Sequence, residues 1–280
     1  MVAFQKAANL DDDGICGPQT WNALVDAGHA LGDRLLYLTS PMVRGDDVAE
    51  LQRRLGVLGF DCGRVDGILG PDTETALKEF QRNVGLTSDG ICGRDTVIAF
   101  RRLSPRSGAD TLNVIALRET ERVRAGTADL RDRLVMVGER GGLDSITAAC
   151  RRSLVRRGAS VLTVHHPDWS QHATQANNAD VDAIVALEVV SGAPSVAYFS
   201  APGVESTAGR ALAACAAAAL ERTTGPLDVR GLRHPVLRES RAPAIVCRFD
   251  DPAVLVRSAP EIASSLTSAL STWLSQLIDN

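Results

Sequence analysis

The stretch Phe80-Gln81-Arg82-Asn83-Val84-Gly85-Leu86-Thr87-Ser88-Asp89-Gly90-Ile91-Cys92-Gly93-Arg94-Asp95-Thr96 decides the architecture of the first third of the chain, because it is a second occurrence. The same order appears 76 residues earlier as Phe4-Gln5-Lys6, Leu10, Asp13-Gly14-Ile15-Cys16-Gly17 and Thr20. Chance does not produce that, and a repeat fixes domain limits before any helix is assigned. A shorter echo, Asp66-Gly67-Ile68-Leu69-Gly70-Pro71-Asp72-Thr73, lies inside the later copy and matches Asp13 to Thr20 down to the proline. The unit is itself built from two similar turns.

Each Asp-Gly-Ile-x-Gly-x-x-Thr element has a local physical logic. Glycine supplies positive φ, and the Asp side chain bonds nearby backbone amides to close a tight loop. Thr or Asp is then expected to cap the following helix. In the later copy, residues 46–58 set Val48, Leu51, Leu55 and Leu58 at helical spacing, and residues 73–84 do the same with Ala76, Leu77, Phe80 and Val84. A third helix over 96–103 closes a small core. Residues 41–103 therefore read as a complete three-helix unit, and residues 1–29 as only the second half of another. A unit lacking a helix exposes an apolar face unless something covers it. Met1 is accordingly expected to be an internal start or a trimmed end; the alternative is that residues 1–29 form an autonomous helical arm.

Composition narrows the function classes. A length of 280 residues predicts about two domains. The apolar share of 45% and charged share of 23% are those of a folded globular chain, and the aromatic share of 4% argues weakly against stacking-based ligand sites. A net charge of −4 with a pI near 5.8 provides no cationic field for nucleic acid or anionic membrane. No apolar run reaches the ~20 residues of a membrane span; the nearest, Ala208 to Leu220, reads as a buried helix. The start Met1-Val-Ala-Phe-Gln-Lys6 lacks the basic region and apolar core of a secretory signal, so the expected location is cytoplasmic, or the cell envelope if the N-terminus is trimmed. The six cysteines are scattered singly, without CxxC spacing, and are expected to be reduced core residues.

Beyond residue 103 the pattern changes. Residues 104–132, rich in Arg, Ser, Gly and Asp, read as a linker with one charged helical piece near 115–123. Residues 133–280 then alternate expected strands (133–138, 160–164, 183–190, 195–200, 244–249) with expected helices (146–157, 171–178, 207–222, 259–278). That alternation predicts an α/β domain with a mostly parallel central sheet covered by helices. The whole chain is thus multidomain, helical repeats followed by α/β.

Catalytic constellations are scarce. His165, His166 and His172 cluster after a strand, but adjacent histidines on a strand point oppositely and no carboxylate sits at i+3 or i+4 from His172; surface or loop histidines are expected. His29 and His234 stand alone. The turn Gly138-Glu139-Arg140-Gly141-Gly142 lacks the Lys-Ser/Thr ending of a phosphate loop and reads as a plain turn. There is no Gly-x-Ser-x-Gly, and Cys247 on a strand is expected to be buried packing, with Arg248 on the alternate face.

Two family resemblances follow from these residues. The string Arg44-Gly45-Asp46, Leu51-Gln52, Leu58-Gly59-Phe60, Val65-Asp66-Gly67, Gly70-Pro71, Thr73, Phe80-Gln81, Gly85-Leu86, Asp89-Gly90-Ile91 and Thr96 resembles the peptidoglycan-binding repeat of bacterial cell-wall hydrolases. That resemblance implies weak recognition of peptidoglycan, with Asp66, Gly67, Asp89 and Gly90 either shaping a ligand groove or serving architecture alone. Val137-Gly138-Glu139-Arg140-Gly141-Gly142-Leu143-Asp144, Ala176-Asn177, Val181 to Leu187 and Ala242-Pro243-Ala244-Ile245-Val246 resemble the zinc N-acetylmuramoyl-L-alanine amidases. Such an amidase implies a zinc ion, but the first His place holds Arg140, the second holds Glu188 and the catalytic Glu place holds Arg248. The helix Glu has no counterpart; Glu139 and Asp144 are the nearest carboxylates. No metal, no zinc cofactor and no catalytic residue are therefore expected. Arg140 and Arg248 are expected either to form a pocket for a carboxylate or phosphate, or to pair with Glu139 and Glu188.

Repeats, linker and altered amidase-like domain in this order are similar to an actinobacterial branch of the amidase homologues. The likeness implies a non-catalytic regulator or scaffold in peptidoglycan biosynthesis, with peptidoglycan or its precursors and an early synthesis enzyme as partners, responsive to phosphorylation. A peptidoglycan-binding envelope protein and an active amidase remain the alternatives.

Overall fold

The computed structural model describes residues 1–103, 121 and 129–279, and the chain divides into two compact units, Met1–Ile115 and Ala116–Asn280. The charged helical piece expected over 115–123 lies almost wholly outside the described residues.

In the first unit, α1 (Val2–Ala7) and α2 (Pro18–Asp26) form the half repeat, and α3 (Asp46–Val57), α4 (Pro71–Asn83) and α5 (Arg94–Leu103) the complete one. The expected stripes face inward: Val48, Leu51 and Leu55 from α3 meet Ala76, Leu77 and Phe80 from α4 and Phe100 from α5. Phe80 stacks on Phe100 at 4.1 Å, and Phe60 meets Phe80 edge-on at 5.6 Å, the second contact suiting the ring quadrupoles. The half repeat encloses only Ala8, Leu10 and Ala23 with Phe4 against them. Its Ile15, Trp21 and Val25 are 66%, 61% and 57% exposed.

A buried glutamine organises each turn. Gln52 Nε2 donates toward Asp66 Oδ1, the Ile68 carbonyl and Thr73 Oγ1 at 2.9, 3.0 and 3.1 Å, while its Oε1 accepts from Asp66 N at 3.1 Å and Gly67 N at 2.8 Å. Gln81 makes the equivalent bonds to Asp89, Ile91, Thr96 and Gly90, and Gln5 to Asp13, Ile15, Thr20 and Gly14. Gly14, Gly67 and Gly90 take φ of 77°, 71° and 76°, which L side chains resist. The expected Thr or Asp caps do not occur at α2 and α4. Their N-caps are Gly17 and Gly70 with proline at the first helical position, and the threonine hydroxyls are held by glutamine instead.

The second unit is the expected α/β fold. Its strands are β1 (Leu134–Glu139), β2 (Ser160–His165), β3 (Ala183–Val189), β4 (Ser195–Ala201), β5 (Val204–Glu205), β6 (Asp228–Leu232) and β7 (Ala244–Phe249). They lie in the order β2-β1-β3-β7-β4-β5, with β6 also paired to β4. β2, β1, β3 and β7 run parallel, β4 runs antiparallel to β7, and β6 is parallel to β4. Helices α6 (Asp144–Arg156), α7 (Trp169–Ala179), α8 (Thr207–Thr224), α9 (Pro235–Glu239), α10 (Pro252–Arg257) and α11 (Ala259–Asp279) cover both faces.

Side chains alternate between two apolar layers, as a pleated strand requires. Val135, Val137, Val185, Leu187, Ile245 and Cys247 pack under α6, α8 and α11. Met136, Ile184, Ala186, Ala244 and Val246 pack under α7 and α9. The short β5, β6, α9 and α10 were not anticipated; β6 carries exposed Asp228 and Val229 at a sheet edge and so lacks the alternation that marks a half-buried strand. Cysteine placement also departs from expectation. Cys62, Cys92, Cys150 and Cys247 are buried, whereas Cys16 is exposed and Cys215 half-buried, and all six are free thiols. No helix among the described residues is long and apolar enough to cross a membrane.

Candidate functional site

Parallel α/β sheets bind ligands beyond the carboxyl ends of their strands. There, Glu188 on β3 and Arg248 on β7 are register partners on the face covered by α7 and α9. Arg248 Nε donates to Glu188 Oε2 at 3.3 Å, and Trp169 Nε1 to Glu188 Oε1 at 3.4 Å. The internal ion pair expected for Arg248 is therefore present. Arg140 behaves differently: it is exposed, and its Nε donates to the Pro167 carbonyl at 2.8 Å.

The expected pairing of Arg140 with Glu139 does not form. Glu139 shares the strand phase of Val135 and Val137, so its carboxylate falls on the opposite side of the sheet from Glu188. Its Oε2 accepts from Gly141 N at 2.5 Å and Leu143 N at 3.1 Å, and its Oε1 meets His165 Nδ1 at 2.5 Å. The turn 138–142 thus directs its amides to the chain's own carboxylate, which occupies the place a bound anion would need in a phosphate loop.

Two histidines pack on Trp169: His172, and the lone His234, a solvated or core residue by its sequence context, whose Nε2 lies 4.0 Å from Glu188 Oε1. His172, expected at the surface, is fully buried on α7 because the ring follows Trp169 by one helical turn and packs on it at 4.5 Å. Its Nε2 lies 2.9 Å from the His166 carbonyl, and Nδ1 has no hydrogen-bond partner among the described residues. His234 is the N-cap of α9, is 3% exposed and packs against Trp169 at 5.2 Å, and among the described residues neither ring nitrogen is hydrogen-bonded. Burial, followed by the charges of Arg248 and Arg140, lowers its pKa to about 3; burial also lowers that of His172. Neither histidine has a motif around it, so only packing could identify them.

In the repeats, Asp66 and Asp89 each present Oδ1 to a glutamine and to the amide two residues on, while Gly67 and Gly90 donate their N–H groups to the same glutamine. Bonding to the Ile91 amide, then to Gln81, holds the Asp89 carboxyl below the usual range. These contacts are the architectural alternative for all four residues.

The amidase resemblance implies zinc, and the residues at its positions do not fit one. A catalytic zinc takes about three N, O or S donors and an open position. Arg140 and Arg248 have no lone pair to give, and Glu188 is engaged by a guanidinium and an indole. Among the described residues, the three-residue group of ligating atoms that comes together is Glu139, Asp144 and His165. There Glu139 is already engaged, its Oε1 by His165 Nδ1 and its Oε2 by the Gly141 and Leu143 amides, while Asp144 is exposed.

Residues 44–99 match the family described as a peptidoglycan binding domain. The N-acetylmuramoyl-L-alanine amidase CwlM of Mycobacterium tuberculosis is 33% identical over 278 residues, covering 87% of this chain and 68% of that protein. CwlL, an N-acetylmuramoyl-L-alanine amidase of Bacillus licheniformis, is 35% identical over 121 residues, covering 36% of this chain and 34% of the relative, so the likeness spans about a third of each. Among solved structures, the catalytic domain of the CwlV amidase from Bacillus (Paenibacillus) polymyxa var. colistinus aligns with a TM-score of 0.40 at 12% identity, over 52% of this chain and 98% of that one.

Proposed function

This chain belongs to the peptidoglycan-binding, N-acetylmuramoyl-L-alanine amidase-type family that includes CwlM, and from that premise we propose that it serves peptidoglycan metabolism without cleaving a bond. It acts as a regulator or scaffold, holding peptidoglycan, a precursor or an enzyme of precursor synthesis. Amide hydrolysis needs an activated water and a carboxylate to carry its proton. The observation that supports the proposal is the Glu188–Arg248 pair: the carboxylate is bound to a guanidinium, and the guanidinium stands where the family keeps its catalytic acid. Arg140 is the cation left facing solvent at this end of the sheet, and its remaining N–H groups suit a carboxylate or phosphate of the held molecule.

The test incubates untagged full-length protein with muropeptides and, separately, with nucleotide-linked cell-wall precursors. Mass spectrometry follows stem-peptide release, calorimetry follows binding, and elemental analysis reads zinc. No release, zinc far below one per chain and saturable binding weakened by Arg140→Ala are expected. Peptide release abolished by a chelator overturns the proposal.

A further inference from the structure

A groove of about 550 Å³ opens in the first unit between α5 and the segment joining the two repeats, and none of Asp66, Gly67, Asp89 or Gly90 lines it. One wall is a single helix face. Arg94, Val97, Ile98 and Arg101 follow at i, i+3, i+4 and i+7, so all share one side of α5. Their order sets two guanidinium groups around two aliphatic side chains, with the arginines about 10 Å apart along the helix axis. The facing wall is also aliphatic, formed by Leu31 and by Leu35, which is 59% exposed.

Both walls are held in place by internal bonds. Leu36 forms an antiparallel bridge to Cys92, with N–H···O distances of 3.3 and 2.8 Å. Arg34 donates through Nε and Nη2 to the buried Asp47 carboxylate at 2.7 and 3.0 Å, which neutralises its charge. The rim acid Asp33 accepts from Ala30 N at 2.7 Å. Arg94 and Arg101 are exposed and form no ion pair among the described residues, leaving two cationic ends against one acid.

We propose that this groove is the ligand site of the first unit, taking a short peptide with aliphatic side chains between two carboxylates, one received by Arg94 and the other by Arg101. Guanidinium groups bind carboxylates through paired N–H donors. A cavity of this volume admits a small ligand and not a folded partner. The inference rests on the peptidoglycan assignment above and deepens it, because a peptidoglycan stem is such a peptide, short, with methyl side chains and free carboxylates. Residues 31–35 supply one wall, so recognition depends on the junction between repeats as well as on the repeat itself.

Fluorescence anisotropy with the full chain and a dye-labelled stem tetrapeptide tests this. The wild type is expected to bind, and converting the peptide's carboxylates to carboxamides to weaken binding by about tenfold or more, as is Arg94→Ala/Arg101→Ala with an unchanged melting curve. Arg82→Ala, an exposed arginine of α4 outside the groove, controls for net charge and is expected to bind as wild type. No stem-peptide binding by the wild type, or equal binding by the double variant or the capped peptide, overturns the groove. Co-sedimentation with purified sacculi separates the two ideas. Pelleting that the double variant retains sinks the groove and leaves the peptidoglycan assignment; peptide binding by the wild type without pelleting supports the groove and narrows the held molecule to a soluble precursor.

Discussion

Glu188 and Arg248 sit opposite one another on adjacent parallel strands, and the Glu188 carboxylate accepts from Arg248 Nε at 3.3 Å with both side chains largely buried. Removing one member of such a pair leaves a desolvated charge, whereas removing both leaves none. Glu188→Gln and Arg248→Met alone should each destabilise the α/β unit by roughly 2–5 kcal/mol, and the double substitution by clearly less than their sum. Urea unfolding of the four proteins measures the coupling; additive losses would show that the pair contributes nothing.

In the first unit the corresponding weak point is Gln52, a residue 1% exposed whose amide satisfies the Asp66-Gly67-Ile68 turn from inside. Gln52→Ala leaves the Gly67 amide and Thr73 hydroxyl without that partner, at a cost of about 2–4 kcal/mol. Gln52→Glu should also destabilise, because a carboxylate cannot donate to Asp66 Oδ1. Thermal melts of the full chain decide it: an unshifted transition for the first unit would contradict the glutamine's organising role.

Acid should weaken the α/β unit through His234. Its folded pKa of about 3 lies below the ordinary 6.5, so the unfolded chain binds more protons between those values. Stability from this group is full above pH 6.5 and falls as pH drops toward 3, at up to about 1.4 kcal/mol per pH unit. Denaturation midpoints at pH 7, 5.5 and 4 should decline, and His234→Phe should flatten the slope. A slope unchanged by that substitution would assign the acid sensitivity elsewhere.

Gly138 is needed for its lack of a side chain. A Cβ there would come within 2.6 Å of His172 Nδ1, and the His172 ring is pinned by Trp169 and the His166 carbonyl. Gly138→Ala should cost roughly 1–3 kcal/mol by overpacking, and His172→Ala in the same chain should recover part of it. Equal melting of Gly138→Ala and wild type would show that the ring moves freely.

The residue pattern alone determined the larger plan. A repeated Asp-Gly-Ile turn with apolar side chains at helical spacing defines the helical unit, and alternating apolar runs and helices define the covered sheet, because both signals are local and periodic. The reading of Arg140, Glu188 and Arg248 as altered amidase positions rests on the family resemblance and on the chemistry of those three side chains alone. What each residue touches was decided only in three dimensions. Glu139 adjoins Arg140 in the chain but follows the strand phase of Val137, so its carboxylate turns to His165 while Glu188 takes Arg248. Gln52, Gln81 and Gln5 look like ordinary polar helix positions until the turn folds back onto them. Arg94 and Arg101 gain a facing wall only when residues 31–35 pack beside α5. In each case, strand register or the return of a distant segment selects the partner, and no local spacing carries that information.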